Sequence, residues 1–306
     1  MLKKSSAVYL IAILSALMVT PAQARPQTFV ASFGNDANPC GRVLPCRLID
    51  RAMVETDANG EVTVLDSANY LQITITKSIT LTAPPGIYAG IAVSSAGTSG
   101  ITIDPGVANV VLRGLSINGQ GGANGILMNS NGNLSIENGV ISNFSGAGQH
   151  GVFINAAASV RMVDTLIRDN DTGVQLLGGA ITDIAGSKFL GNGNGIHTES
   201  TSASVTSTTI SDTIVTGGGT GIEAISSSTG SARIQMIRSS VTNNLKGIKS
   251  SASGGTAPVT LSESMVSGNL VGYEVGAGGS LESLGNNTIA NNGSDINGPL
   301  PTIPLQ

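Results

Sequence analysis

The sequence predicts an all-β protein: a single parallel β-helix solenoid, three short strands to a coil, with an N-terminal cap that contains a short α-helix. Three observations carry this. Glycines recur at 125, 151, 173, 195, 221, 247 and 272, with Asp295 in the last slot, at spacings of 22 to 26 residues. Six positions before the anchor stand Ile167, Phe189, Val215, Val241, Val266 and Ile289, an inward apolar column. Three before it stand Asn170, Asn192, Asn244, Asn269 and Asn292, with Gly218 as the exception. Self-similarity at this period marks stacked coils, each burying its apolar face on the next. Leucine-rich repeats have a similar period, but their fixed leucine positions are missing.

Taken in order, the chain opens with Lys3 and Lys4, an apolar run from Ala7 to Val19, and Ala22-Gln23-Ala24. That is the pattern of a signal peptide over residues 1–24, with a mature chain from near Arg25. The run is shorter than the roughly 20 residues a spanning helix needs, and no second run of that length follows. The mature chain is therefore expected to be secreted or periplasmic and to have no transmembrane segment. Residues 25–60 read as the cap: a strand at Thr28–Phe33, a loop at Asn35–Pro45, and a helix at Arg47–Thr56. Leu48, Ile49, Ala52 and Met53 fall on one face of that helix, which can cover the open core and free strand edges at the solenoid's end. In an oxidising compartment, Cys40 and Cys46 are expected to bridge, with two free thiols as the alternative. Their spacing fits no zinc pattern. Residues 61–297 read as coils. The first, VTVL, ITITKSITLT, GIAV, GITID and NVVL, are irregular in length, and the register is legible from Gly125. Residues 298–306 form a Pro-rich extended tail, so this end is expected to lack a helical cap.

Asparagine tolerates the left-handed turn conformation, and its amide can bond to an asparagine one coil up and one coil down. The residue after each anchor is Ile126, Val152, Val174, Ile196, Ile222, Ile248 or Tyr273, which sets the inward side. The next residue then faces out: Leu127, Phe153, Gln175, His197, Glu223, Lys249 and Glu274, about 4.8 Å apart on stacked coils. His197, Glu223, Lys249 and Glu274 are the catalytic candidates, with Glu223 as base and His197 as acid. The competing reading is that opposite charges on adjacent strands simply pair. Leu127 and Phe153 extend the row as an exposed apolar patch, and Phe153 and Gln175 are binding candidates. So are Arg161, Asp164, Arg168 and Asp169, which cluster with Asp171 in one coil. Calcium wants several converging oxygens, whereas the next coil offers Gly186, Leu190, Gly191 and Gly193. A solvated turn, with no metal and no cofactor, is the expectation.

The net charge of −4, with 11% charged residues, gives no electrostatic reason to bind nucleic acid or an anionic membrane. Aromatics are 3% and tryptophan is absent, which weakens stacking on bases or sugars. Ice binding through threonine rows has only Thr74, Thr76, Thr80 and Thr82, which do not recur in later coils.

The turns GNGNGI (191–196) and TNNLKGI (242–248) resemble those of right-handed parallel β-helix repeat proteins, the pectate-lyase-like superfold. The opening TFVASFGNDANPCGRVLPCR, followed by a helix, resembles the N-terminal cap of exported bacterial members. The resemblance covers nearly all of the mature chain and implies a right-handed solenoid. It is weak for activity, since this solenoid hosts lyases, hydrolases, adhesins and passive structural proteins. Pectate lyases hold calcium with carboxylates and use an arginine base, residue types found in the Arg161–Asp171 cluster. Polygalacturonase-like members use Asn-Thr-Asp, Asp-Asp, Gly-His-Gly and Arg-Ile-Lys. Neither Asn-Thr-Asp nor Asp-Asp occurs here, and Gln149-His150-Gly151 and Arg233-Ile234-Gln235 are partial echoes several coils apart. The acid/base carboxylate pair of such enzymes is missing. The expectation is an exported non-catalytic β-helix, structural or surface-interacting, with a polysaccharide or cell-surface molecule as partner along one face. A polysaccharide lyase or glycoside hydrolase acting on an extracellular polysaccharide is the alternative.

Overall fold

Each coil is three short runs whose alternate side chains point inward. In one coil, Ser159–Val163, Leu166–Arg168 and Thr172–Leu177 bury Val160 and Met162, Ile167, and Val174 and Leu176. Each run pairs in parallel with its counterpart one coil on: Val160 with Thr182, Ile167 with Phe189, Val174 with Ile196. The computed structural model describes residues 25–295 and 297–302; the signal-peptide expectation lies outside the described residues. Among them the runs stack into three parallel sheets of 11, 10 and 9 strands, here called A, B and C, wound as one right-handed β-helix. A single apolar core runs up its axis from Val30 to Leu281.

At the N-terminal end, the strand is β1 (Arg25–Val30), earlier than the 28–33 expected, and it is the first strand of sheet A, beside β2 (Thr56–Val64). The helix α1 spans Ile49–Glu55 and buries Ile49, Ala52 and Met53. It starts later than expected because Asp36 Oδ1 accepts the Arg47 and Leu48 N–H groups, both at 2.9 Å, and Leu48 is an extended N-cap. The segment ITITKSITLT is two strands: it turns a corner at Lys77-Ser78, between Ile73–Ile75 in sheet C and Ile79–Thr82 in sheet A. The glycine column begins one coil earlier than the repeat suggests, at Gly100, since Ser99 pairs with Asn124 and Ile101 with Ile126. At the other end, Ser294, Asn297 and Thr302 bridge to Val271, Glu274 and Ser283, and Leu300 packs against the core. An extended segment thus lies along the last coil.

Cys40 and Cys46 form a disulfide, and both are buried. For so short a loop, loss of the crosslink in Cys40→Ser/Cys46→Ser is expected to lower stability by about 2 kcal/mol. Urea unfolding measures this. A midpoint equal to wild type, or two titratable thiols in unfolded, unreduced protein, would contradict the bridge.

Two side-chain ladders hold the coils in register. Asn170 donates from its backbone N and its Nδ2 to Asn192 Oδ1 at 3.1 and 2.9 Å. The same pattern links Asn244 to Asn269 and Asn269 to Asn292. These asparagines are not themselves left-handed, contrary to expectation. That conformation belongs to the residue before each, and before Gly218: Asp169, Gly191, Gly217, Asn243, Gly268 and Asn291, at φ 56° to 76°. The ladder side chain points inward to bond, so the turn falls one residue earlier. Gly218 breaks the row because a Cβ there would lie 2.0 Å from the Asn192 carbonyl oxygen. A second ladder, not read from the sequence, lines the A–B corner. Backbone N–H groups of Thr165, Ser187, Thr213 and Ser239 each donate to the hydroxyl one coil on, and Ser264 donates to Asn287 Oδ1, at 2.9–3.3 Å. Buried N–H groups with no strand partner are thereby satisfied.

Candidate functional site

Sheet C brings the predicted outward row into register: Phe153, Gln175, His197, Glu223, Lys249 and Glu274 are successive pairing partners. The row is not uniformly solvent-facing. Glu223 is only 5% exposed, because the long side chains on either side fold over it. His197 Nδ1 lies 2.9 Å from Glu223 Oε2, and Lys249 Nζ lies 2.6 Å from Glu223 Oε1. His197 Nε2 is 3.4 Å from Glu199 Oε2, which also accepts from Gln175 Nε2 at 3.2 Å. Neither ring nitrogen of His197 makes a well-directed hydrogen bond, so charge holds the imidazole here. Glu274 leaves the row and pairs with Lys246 at 2.8 Å.

The electrostatics follow from this packing. Burial pulls His197 toward its neutral form, but Glu199 and Glu223 together outweigh it and raise the pKa to about 9. Burial opposes the charged form of Glu223 as well, yet His197 and Lys249 lower its pKa to about 2. Glu199 is also lowered, chiefly by His197. Near neutrality the cluster is therefore fully charged and mutually compensated. A general acid or base works best with a pKa near the working pH, and here both candidates are driven away from it.

The rest of the predicted set is dispersed or covered. Phe153 is half-buried under the His150 ring, stacked at 4.8 Å between centroids, so the apolar patch with Leu127 is less open than expected. His150 Nδ1 lies 3.0 Å from Asn124 Oδ1, and burial lowers its pKa. Arg161, Asp164, Arg168 and Asp169 do not converge. Arg161 is on sheet A, Asp164 sits in the A–B turn, and Arg168, on sheet B, pairs with adjacent Asp169 at 2.6 Å. Asp171 accepts Gly148 N–H at 2.7 Å. Among the described residues, no three His, Cys, Asp or Glu side chains gather as a metal site. Gln149-His150-Gly151 and Arg233-Ile234-Gln235 lie on different sheets. The residue missed from the sequence is Glu199. It stands two positions after His197 and so on the same strand face, which was the available signal.

No curated protein sequence matches this chain significantly. Among solved structures, a pectate lyase, Pel9A, is similar with a TM-score of 0.52 and 14% identity, over 81% of this chain and 67% of that one. A rhamnogalacturonan lyase is similar with a TM-score of 0.43 and 12% identity, over 84% of this chain and 73% of that one. At such identity the likeness to the pectate lyase is one of fold. The family described as right handed beta helix region matches residues 99–269, more than half of the sequence. With its sheets stacked in parallel along one axis, the chain belongs to the right-handed β-helix family.

Proposed function

We propose that this is an exported, non-catalytic β-helix protein, structural or surface-interacting, whose sheet C face meets a polysaccharide or other cell-surface molecule. The organisation that goes with it is a leader over 1–24, a cap over 25–60, coils over 61–297 and an extended tail over 298–306. The observation that carries the non-catalytic reading is the compensated row: Glu223 clamped between His197 and Lys249. Export is supported by the leader-like opening and by the disulfide. No helix among the described residues is long and apolar enough to cross a membrane.

The alternative, a polysaccharide lyase or hydrolase, draws on the fold likeness to a pectate lyase. Incubation with a panel of acidic and neutral polysaccharides separates the two readings. No unsaturated or reducing ends should appear above the buffer rate. Turnover by the wild type that disappears in Glu223→Gln, while the variant keeps its far-UV circular dichroism, would overturn the non-catalytic reading.

A further inference from the structure

From Gly100 onward, every coil leaves room for the next one at the anchor slot. A Cβ on any anchor glycine from Gly125 to Gly272 would lie 2.4 to 2.7 Å from the carbonyl oxygen of the next slot residue. Asp295 is the first residue of the column after Gly100 to carry a Cβ. The one side chain earlier in the column, Gln72, lies outside the strand pairing, which starts at Ile73 with Ile101. A further coil in the same register would therefore press its carbonyl against the Asp295 Cβ, well inside van der Waals contact.

Asp295 also finishes the asparagine ladder. Asn170, Asn244 and Asn269 each donate a backbone N–H and Nδ2 to the Oδ1 of an asparagine one coil on. Asn292 makes the same two bonds, both at 2.9 Å, but to Asp295 Oδ1, three residues on in its own turn. The carboxylate thus fills the place of the next asparagine amide. It accepts those bonds, which hold its pKa below the usual carboxylate value, and it has no N–H to pass on. The chain on either side bonds backward to the finished coil. Gly272 N–H donates to Ser294 O and Val275 N–H to Asn297 O, at 2.7 and 2.8 Å, so Asp295 is held at the slot.

We propose that Asp295 is a stop residue: it sets the length of the solenoid and closes this end to a further coil, whether of this chain or of a second copy. An open solenoid end is commonly protected by covering it. Here the obstacle is one residue at the repeat's own slot, and it blocks both the close approach and the ladder. The proposal does not depend on what sheet C binds, and no outcome of the polysaccharide assay bears on it.

The test moves the stop. In one full-length chain, a copy of residues 272–294 is inserted after Ser294, so that a glycine takes the slot and Asp295 follows one coil later. Its companion carries Gly272→Asp in the inserted copy alone. Hydrogen exchange read by mass spectrometry should show the copied amides protected roughly a hundredfold more in the first chain than in the second. Protection of the copy in both chains, or in neither, would overturn the proposal, because the slot residue would then not decide whether a coil is added. Point variants of the natural chain test the ladder separately. Asp295→Ala should speed exchange of the Asn292 amide about tenfold, whereas Asp295→Asn, which keeps the acceptor, should leave it within about twofold of wild type. Unchanged exchange in Asp295→Ala would remove the carboxylate as the end of the ladder and overturn the proposal. So would a wild-type dimer in sedimentation velocity whose formation protects residues 288–295, since that end would then be open to a second copy.

Discussion

Glu223→Gln is expected to lower stability at pH 6 by about 3 kcal/mol, although it keeps the side chain's shape. It removes the charge and turns one acceptor facing His197 or Lys249 into a donor. The size follows from linkage. The gap between 6.5 and about 9 for His197, and between 4.5 and about 2 for Glu223, each corresponds to roughly 3 kcal/mol. These are two views of one interaction and are not summed. The signs set the pH window. His197 is raised, so its contribution is fully present below 6.5 and is lost as pH rises through about 9. Glu223 is lowered, so its contribution is present above 4.5 and is lost as pH falls toward 2. Wild type should therefore be most stable between 4.5 and 6.5, with urea midpoints falling on both sides. In Glu223→Gln the alkaline decline should shrink to what Glu199 alone sustains, because that carboxylate still faces His197. Breaking one member of a buried pair leaves the others uncompensated, which is why the isosteric change is costly. A wild-type midpoint that is flat from pH 6 to 9 would contradict the charged histidine, and identical slopes in the two proteins would remove Glu223 as its partner.

What was legible in the sequence was whatever repeats. Ile167, Phe189, Val215, Val241 and Val266 recur at one slot because every coil fills the same place in the core, and all are buried. The asparagines recur because the side chain of one accepts from the coil before it, as in Asn170 to Asn192, Asn244 to Asn269 and Asn269 to Asn292. Burial of Glu223 was not legible, since it depends on how far His197 and Lys249 reach across neighbouring coils, and strand alternation fixes only which side a residue leaves from. The charges around Arg161 form a cluster in sequence only, for a related reason. A coil turns two corners within a dozen residues, so Arg161, Asp164 and Arg168 are close in sequence and face different directions. Thr165, Ser187, Thr213, Ser239 and Ser264 escaped notice because two residue types share one role, donating or accepting through the same hydroxyl.

The anchor glycines were read as a period, and their physical cause yields the second large effect. Gly195→Ala is expected to cost about 3 kcal/mol or more. None of the anchors has positive φ, so the requirement is not conformational freedom. A Cβ on Gly195 would stand 2.4 Å from the Gly221 carbonyl oxygen and 2.8 Å from Val215 Cγ1. Gly125, Gly151, Gly173, Gly221 and Gly247 meet the carbonyl of the next anchor at 2.4 to 2.7 Å, and Gly272 meets that of Asp295 at 2.7 Å. A flexible side chain could swing aside, but these carbonyls belong to the backbone of sheet C. Relief requires two coils to separate locally beyond the usual spacing of about 4.8 Å. That separation would stretch the strand pairing beside the anchor and loosen the packing of Ile196 on Ile222. The control is Gly41→Ala, where a Cβ meets nothing within 4 Å and φ is ordinary. There the loss of unfolded-chain freedom should leave stability unchanged or raised by up to about 1 kcal/mol. Urea midpoints of the two variants should therefore move in opposite directions or differ widely. If they coincide, the glycine column does not set how closely the coils stack, and the close approach of Gly195 to Gly221 is tolerant of a methyl group.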